Sequence, residues 1–324
     1  MDNVSISIII PLYNAELYIN QCLLSIKNQT FTNWEAIIID DGSSDESYNV
    51  CNKLIKDDKR FRLIKKINEG VSITRNKALD LCNGDYIFFL DADDYLLDKD
   101  CLSKLTELIE VNDLDYIRFE YKAVDIKDTF LFNNSNKYLR RKYYNKVITP
   151  CEYCDNVAHD EFFLCFSFFK AYIIKRYKIR FLEGCRMRED ADFIIRYLFY
   201  CKNVLYIPDE FYAYRKHDNA ATFCNARKYD EDLKMVFDSL FSFCSECKDI
   251  EYRNYIYKFL SLFVIEQKKS KYISYYRNII NGFPVKDKLY RISNLGKIGS
   301  IYIHYYSKII RTIMIFINLI RIKR

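Results

Sequence analysis

The sequence predicts an α/β fold in which a mostly parallel sheet is flanked by helices and followed by a helical C-terminal extension. Short, β-branched apolar runs alternate with helical patterns over residues 4–121, and this alternation is typical of βαβ units. The 324 residues include only 7 Gly and 4 Pro, too few for a turn-rich all-β sandwich. Hydrophobic residues make up 50% of the chain, a content that excludes a disordered protein.

Each predicted strand is a short apolar run, and each predicted helix carries apolar residues at helical spacing. The strands are expected at residues 4–10, 35–39, 61–65, 86–90 and 115–121. The helices are expected at residues 16–28, 46–56, 71–81 and 98–111. Ser43 and Glu46 match a capping box for the second helix, and Asp98 is the expected cap of the fourth. This order predicts parallel strands joined by right-handed crossovers.

The later part of the chain is predicted to divide near residue 225. Residues 125–150 are polar and basic, so we expect a connection over the surface there. Helical and strand-like patterns return between residues 162 and 201. Beyond Arg227, apolar and aromatic residues recur at helical spacing. We therefore expect one α/β domain over residues 1–225 and a helical region over residues 226–324.

Charge and cysteine content narrow the class of protein. The formal net charge of +6 is small for this length, and the basic residues are scattered until the end of the chain, so nucleic acid is not an expected partner. The start of the chain lacks the pattern of a secretory signal, so the 12 Cys are expected to be buried, reduced thiols of a cytosolic protein. Two CxxC pairs, Cys151/Cys154 and Cys244/Cys247, are much farther apart than the roughly 15–20 residues typical of a zinc ribbon.

Polar clusters follow four predicted strands at the point where each strand ends. They occupy residues 11–14, 40–43, 68–70 and 91–94. Because the carboxyl ends of parallel strands share one edge of a sheet, at least five carboxylates are expected to meet there. Their mutual repulsion favours a divalent cation, and Mg²⁺ or Mn²⁺ commonly binds one or two carboxylates together with substrate phosphates. The alternative is helix capping, which needs one such residue rather than a cluster.

Two further candidates lie later in the chain. Asp190 belongs to an acidic run before a predicted helix, where it could act as a general base or only complement the helix dipole. His217 is one of three histidines, and it could bind a ligand or serve a structural role.

Four stretches together resemble the inverting family-2 glycosyltransferases, whose catalytic domain has the GT-A fold. They are residues 7–47, residues 67–96, the run REDADF at 188–193 and the run YRKHDNAAT at 214–222. The first two are long and specific, and the other two gain weight from their position after them. The resemblance covers residues 4–225, and it implies a GT-A catalytic domain over residues 1–225.

The resemblance implies a donor nucleotide site at the ends of the first strands. Asp40 would contact the base of the nucleotide, and Pro11 and Asn14 would shape the same pocket. Asp41 is assigned to this nucleotide site as well. Arg75, in the TRN segment, would lie near the nucleotide.

The resemblance also implies the roles of four residues around the diphosphate. Asp91 would approach the ribose, and Asp93 would bind the Mn²⁺ or Mg²⁺ that bridges the diphosphate. His217 would lie close to the diphosphate or the metal. Asp190 would be the catalytic base that deprotonates the acceptor hydroxyl for a single in-line displacement.

By this resemblance, the chain would transfer a hexosyl or N-acetylhexosaminyl group, with inversion, from a nucleotide-diphosphate sugar to a glycan or lipid-linked acceptor. UDP is the expected carrier, and bacterial surface polysaccharide synthesis is the expected setting. Relatives often carry a Trp or Asn with Lys before the acidic run, where this chain has Phe168, Phe169 and Lys170. The acceptor wall is therefore expected to differ from theirs.

Residues 298–324 form a basic stretch with a broad apolar face. Its longest uncharged run, residues 312–320, is too short to cross a hydrocarbon core of about 30 Å. An amphipathic helix lying on the inner face of the plasma membrane is expected, which would make the protein a peripheral cytoplasmic one. The alternative is a helix that packs on the protein's own core.

Three other classes of protein share single features with this sequence. Asp91 and Asp93 superficially match a phosphatase with an aspartyl nucleophile, but that motif normally follows the first strand and here follows the fourth. A nicotinamide dehydrogenase lacks support because no GxGxxG follows any strand. A catalytically degenerate nucleotide-sugar or membrane-binding module is the alternative function, and the presence of Asp190 counts against it.

Overall fold

The structure, a computed structural model, describes residues 4–134, 140–158, 161–217, 230–266 and 270–280. The chain divides into two compact units, residues 1–240 and 241–324. The predicted domain boundary near residue 225 lies outside the described ranges and stays a prediction. So does the predicted amphipathic helix at residues 298–324.

The first unit is built on one sheet. Its strands are β1 (Ile6–Leu12), β2 (Trp34–Asp40), β3 (Phe61–Lys65), β4 (Tyr86–Phe89), β5 (Tyr95–Leu96), β6 (Tyr116–Val124), β7 (Phe130–Asn133), β8 (Lys146–Ile148), β9 (Ser167–Lys170) and β10 (Val204–Arg215). Their order is β3-β2-β1-β4-β9-β6-β10-β5, with β7 beside β6 and β8 beside β10. The predicted α/β fold is confirmed. The four strands β3, β2, β1 and β4 are parallel, and the sheet becomes mixed where β9 enters antiparallel to β4 and β6.

Helices flank the sheet and dominate the described residues after it. They are α1 (Ile19–Lys27), α2 (Ser47–Ile55), α3 (Val71–Leu81), α4 (Cys101–Asn112), α5 (Pro150–Tyr153), α6 (Ala171–Arg176), α7 (Glu189–Leu198), α8 (Asp230–Glu246), α9 (Ile250–Glu266) and α10 (Ile273–Ile280). The helical character predicted beyond Arg227 is confirmed for this part of the chain. Across the described ranges, none of the helices combines the length and apolarity that a membrane crossing requires.

Strand β1 shows why the centre of the sheet reads as a continuous apolar run. Apart from half-buried Pro11, every one of its residues is buried, because the central strands of such a sheet are covered on both faces. The last residue of β4, Phe89, pairs with Ile9, so Pro11 lies beyond the end of that neighbour. The missing N–H of a proline is tolerated at such a position.

Two predicted helix caps are wrong. Helix α2 begins at Ser47, and its N-cap Glu46 makes no capping hydrogen bond through its side chain. The Ser43 hydroxyl instead accepts a hydrogen bond from the Asn14 N–H at 3.0 Å. This bond joins the loop after β1 to the loop after β2. The N-cap of α4 is Asp100 rather than Asp98, whose carboxylate accepts from the Asp100 N–H at 2.9 Å.

The predicted surface connection at residues 125–150 contains two edge strands, β7 and β8. Strand β7 pairs with β6, and its residues Phe130, Leu131 and Phe132 are all exposed. Backbone pairing to a sheet edge, rather than burial of an apolar face, defines these strands. A hydrophobic pattern therefore could not reveal them.

Candidate active site

The carboxyl ends of β1, β2 and β4 meet at one edge of the sheet, and Asp40 ends β2 there. Asp40 is fully buried, and its Oδ1 accepts a hydrogen bond from the Ser43 N–H at 2.9 Å. Its Oδ2 is also buried, has no hydrogen-bond partner among the described residues, and lies 3.8 Å from Lys65 Nζ. A buried carboxylate oxygen without a donor is costly, so an N–H group of a ligand would find a ready acceptor there.

Asn14 positions the loops around Asp40. Its φ of 46° is in the left-handed region, which asparagine tolerates better than most residues. Its side-chain oxygen accepts from the Ser44 N–H at 2.9 Å, while its own N–H donates to Ser43. The loop after β1 is thereby fixed to the loop after β2, next to half-buried Pro11.

Asp41 is already engaged within the protein. Its Oδ1 accepts from the Glu69 N–H at 2.8 Å and from the Lys66 ammonium, and its Oδ2 accepts from the Gly70 N–H at 2.9 Å. These bonds hold the loop between β3 and α3 against the end of β2. The predicted role of Asp41 in nucleotide binding stays a prediction, and these bonds give it a supporting position.

Gly42 lets the same two loops approach each other closely. Its φ of 74° is unfavourable for residues with a side chain, and a Cβ atom there would lie 2.8 Å from the Asn68 backbone nitrogen. A larger residue at position 42 would therefore push the two loops apart.

Arg75 is buried among three carboxylates. Its Nη1 donates to Glu189 Oε1 and to Asp190 Oδ1, both at 3.0 Å, and its Nη2 donates to Asp91 Oδ1 at 3.2 Å. One guanidinium therefore joins the loop after β4 to the start of α7. The sequence predicted Arg75 only to lie near the nucleotide, and the structure adds its contact with the proposed base. Glu189 was not predicted as a site residue, although it precedes Asp190 directly.

Asp190 combines partial exposure with an environment that favours its protonated form. Removal from water raises the pKa of Asp190 to about 7, and Glu189 and Asp91 add to the rise while Arg75 opposes it. Its Oδ2 accepts from the Leu164 N–H at 3.3 Å, and 24% of its side chain remains exposed. A carboxyl group with a pKa near the working pH is suited to general-base catalysis.

Asp91 has a sulfur neighbour that the sequence did not predict. Cys165 Sγ lies 3.0 Å from Asp91 Oδ2. Burial and the charge of Asp91 raise the pKa of Cys165, so its thiol remains protonated and donates this hydrogen bond. The two oxygens of Asp91 are thus contacted by Arg75 and Cys165, while a third of its side chain stays accessible.

Asp93 and His217 form a second contact at the same edge. Asp93 Oδ2 lies 2.8 Å from His217 Nε2, and the imidazole stacks on Tyr18 with ring centroids 5.1 Å apart. The 2.8 Å separation is a hydrogen-bond distance, and a carboxylate oxygen and an imidazole nitrogen are both atoms that bind divalent cations. Within the described ranges no group of three metal-binding side chains occurs. Asp93 and His217 are the residues that would hold a cation at this edge.

The end of β10 holds the acidic loop in place, a feature the sequence did not indicate. Buried Asp94 accepts from the Tyr212 hydroxyl at 2.8 Å and from the Arg215 N–H at 2.7 Å. Arg215 Nε also donates to the Asp93 carbonyl at 2.9 Å, and the Asp91 N–H donates to the Tyr212 hydroxyl at 3.2 Å. Burial together with Asp93 and Asp91 raises the pKa of Asp94 well above its ordinary value.

A family profile described as glycosyl transferase family 2 matches residues 7–173, more than half of the chain. The chain belongs to glycosyltransferase family 2. The family predicted from the sequence is therefore confirmed. Membership of this family excludes the phosphatase and dehydrogenase alternatives.

Individual relatives match about two thirds or more of this chain. EpsH of Bacillus subtilis is 31% identical over 222 residues, which are 67% of this chain and 62% of EpsH. The minor teichoic acid biosynthesis protein GgaB of the same organism is 30% identical over 234 residues, 71% of this chain but 25% of GgaB. The chain thus spans less than two thirds of the length of either relative.

The GT-A fold is confirmed by solved structures. S. aureus TarS 1–349 in complex with UDP superimposes with a TM-score of 0.63, over 89% of this chain and 78% of that one. The two sequences are 17% identical, so the likeness concerns the fold. The residue roles assigned to the nucleotide, the metal and the base remain predictions.

Proposed function

We propose that this chain is a metal-dependent glycosyltransferase that moves a sugar from UDP onto a hydroxyl group of a glycan or lipid-linked acceptor, with inversion. The observation that carries the proposal is the position of Asp190. A carboxyl group with a pKa of about 7 is joined through Arg75 to Asp91, in the same loop as Asp93. A proton acceptor and an acidic, metal-compatible loop therefore lie within one connected site.

The donor base is proposed to bind at Asp40. Uracil carries a ring N–H. This group could donate to Asp40 Oδ2, which accepts no hydrogen bond from the described residues. Pro11 and Asn14 would border the base, in agreement with their positions at the end of β1. Complexes of TarS with UDP and UDP-GlcNAc support a uridine donor, although thymine and guanine also carry ring N–H groups.

Asp93 and His217 are proposed to hold the divalent cation. A bound Mn²⁺ or Mg²⁺ would neutralise the charge that develops on the departing diphosphate. The His217 ring is fixed by its stacking on Tyr18, and Arg215 holds the backbone of Asp93. These contacts would hold the side chains of Asp93 and His217 in a fixed position for the cation.

The proposed reaction is a single displacement. Asp190 takes the proton from the acceptor hydroxyl group, whose oxygen attacks the anomeric carbon of the donor sugar. A new glycosidic C–O bond forms as the bond from that carbon to the diphosphate breaks, and UDP leaves with the electron pair. Attack from the side opposite the leaving group inverts the anomeric configuration. Asp190 then releases this proton to solvent, and Arg75 would hold the ionised carboxylate in place for the next cycle.

The acceptor is proposed to be a surface glycan or its lipid-linked precursor, assembled on the cytoplasmic side of the plasma membrane. The name of GgaB, a teichoic acid biosynthesis protein, supports this setting.

Membrane contact through residues 298–324 is part of the proposal. Deletion of these residues should move the protein from the membrane fraction to the supernatant without loss of UDP binding, and a truncated protein that still sediments with membranes would contradict this contact.

Calorimetric titration tests the donor proposal. The full-length protein is titrated with UDP, GDP and dTDP, each with Mn²⁺ and each with EDTA. Binding of UDP with Mn²⁺ and its loss with EDTA are expected. Preference for another nucleotide would correct the donor class, and equal binding in EDTA would refute the metal role. Donor binding without transfer to any glycan would instead favour the degenerate binding module.

A further inference from the structure

Aromatic side chains from neighbouring strands lie on one face of the sheet near the candidate site. Ala123 of β6 pairs with Phe132 of β7 on one side and with Tyr214 of β10 on the other. Residues paired across neighbouring strands point to the same face of a sheet. Ala123, which is itself fully buried, therefore lies between two aromatic rings, and the ring of Phe132 is 47% exposed. We call these three residues and Lys216 the aromatic groove.

Lys216 lies over this groove and is attracted by the charge of buried Asp94, although no described carboxylate is within ion-pair distance of its ammonium group. Its ammonium nitrogen is 4.6 Å from the ring centroid of Tyr214 and 6.0 Å from that of Phe132. It is half-buried, and its backbone is fixed by a hydrogen bond of 2.8 Å from its N–H to the Val124 carbonyl. Among the residues described, no carboxylate forms an ion pair with it, whereas Lys122 on the adjacent strand pairs with Glu210 at 3.5 Å.

The direction of Lys216 separates it from the proposed metal ligands. His217 stacks on Tyr18, and the Arg215 guanidinium lies 5.1 Å from the same ring. Lys216, between them in the chain, contacts Tyr214 and Phe132 instead. Its charge is therefore presented on a different side from the Asp93–His217 pair.

Aromatic contacts connect the groove to the proposed base. Tyr121, two residues before Ala123 on the same face of β6, stacks on Phe166 with centroids 4.4 Å apart. Phe166 ends the short turn Leu164–Phe166, whose first residue donates its N–H to Asp190. A molecule in the groove would thus lie beside the segment that positions Asp190.

We propose that the aromatic groove is a subsite for an anionic sugar of the acceptor, with a pyranose ring on Phe132 and a phosphate or carboxylate group on Lys216. This inference rests on the proposed function. The apolar C–H face of a pyranose suits an exposed aromatic ring. A half-buried ammonium group that forms no ion pair with the described residues can gain from an anion, because charge-assisted hydrogen bonds are stronger than neutral ones.

Ligand-observed NMR on the protein saturated with UDP and Mg²⁺, a diamagnetic ion that does not broaden the ligand signals, tests this subsite. Saturation blocks phosphate binding at the donor site. The probes are glucose 6-phosphate, glucuronate, glucose and inorganic phosphate. We expect both charged sugars to bind about fivefold more tightly than glucose, as an accessible ion pair allows. The ratio between the two charged sugars shows whether phosphate or carboxylate is the preferred group.

Matched variants assign the effect to the groove. Lys216→Met should abolish the preference for charged sugars, whereas Lys216→Arg and the exposed control Lys127→Met should keep it. Phe132→Ala should weaken all three sugars. A preference that survives Lys216→Met, an absent preference in the wild-type protein, or inorganic phosphate binding as tightly as glucose 6-phosphate would overturn the proposal.

The same titrations separate this inference from the proposed function. A wild-type protein that fails to bind UDP with Mn²⁺ contradicts the proposed donor site, whereas UDP binding without a charged-sugar preference contradicts the subsite alone. UDP affinity also reports the folding of each variant. Should Lys216→Met fail to bind UDP, Phe132→Ala decides, and unchanged sugar binding in that variant refutes the subsite.

Discussion

Asp190 is the residue whose replacement tests the proposed mechanism most directly. Asp190→Asn removes the proton acceptor but keeps a similar shape, so we expect transfer to fall about a thousandfold, within the usual range for a general base. UDP binding should change far less than transfer, because Asp190 reaches the donor-site residue Asp91 only through Arg75. In the wild-type protein, a pKa of about 7 for free Asp190 predicts that kcat/KM for transfer at pH 6 is about a tenth of its plateau.

The same substitution should stabilise the protein. The pKa of Asp190 rises from 3.8 to about 7 on folding, so between these pH values the unfolded state binds fewer protons and the wild-type protein loses stability as the pH rises. The upper bound of this loss is about 4 kcal/mol above pH 7. Because 24% of the side chain is exposed, we expect Asp190→Asn to gain about 2 kcal/mol, or about 3 °C in Tm.

The assay combines initial transfer rates and thermal unfolding from pH 5 to pH 9. Glu189→Gln is the matched control, since Glu189 contacts the same guanidinium and raises the pKa of Asp190. It should keep transfer activity and move the midpoint of the rate profile to lower pH. Transfer by Asp190→Asn within tenfold of the wild-type rate would refute the base. A Tm at pH 8 below that of the wild-type protein would refute the raised pKa.

Three other substitutions test separate parts of the site. Asp40→Asn should weaken UDP and uridine about equally, by about tenfold, in titrations with and without metal, since a base contact does not involve the phosphates; loss for UDP alone would contradict this role. His217→Ala should raise the Mn²⁺ concentration required for half-maximal UDP binding about tenfold. The double variant with Asp93→Ala should lose less Mn²⁺ affinity than the sum of the losses in the two single variants. Additive losses would argue against a shared ion. Arg75→Met should lower the free energy of unfolding at pH 8 by about 3 kcal/mol, because it leaves three carboxylates without their cation. The loss should be smaller at pH 5, where Asp190 is protonated. Chemical denaturation measures both values, and an equal loss at the two pH values would contradict this charge argument.

The first strands and their acidic ends could be predicted from the sequence because they depend on local patterns. The runs that became β1 to β4 are apolar and separated by helical segments, so the parallel-sheet rule placed Asp40, Asp91 and Asp93 at one edge. The mixed half of the sheet could not be predicted this way. Strand β9 is inserted between β4 and β6, antiparallel to both, and β10 pairs with β6.

The contacts that the sequence missed depend on this long-range pairing. Arg215 reaches the acidic loop because β10 runs parallel to β6, 122 residues away from Asp93 in the chain. Arg75 could be recognised as a residue near the site, but its three carboxylate partners come from two distant segments. No periodicity in the sequence reports such a meeting.

Arg75 links the donor side of the proposed reaction to the acceptor side. One buried guanidinium among three carboxylates leaves excess negative charge. This charge lowers the stability of the protein unless protonation or a further cation offsets it. Asp91 raises the pKa of Asp190, so a cation that offsets the charge of the acidic loop would favour the ionised form of Asp190. Coupling between binding events is reciprocal, so an ionised Asp190 would in turn strengthen cation binding at that loop. The same cluster that makes the site costly to fold would therefore make the base ready when the donor complex is present.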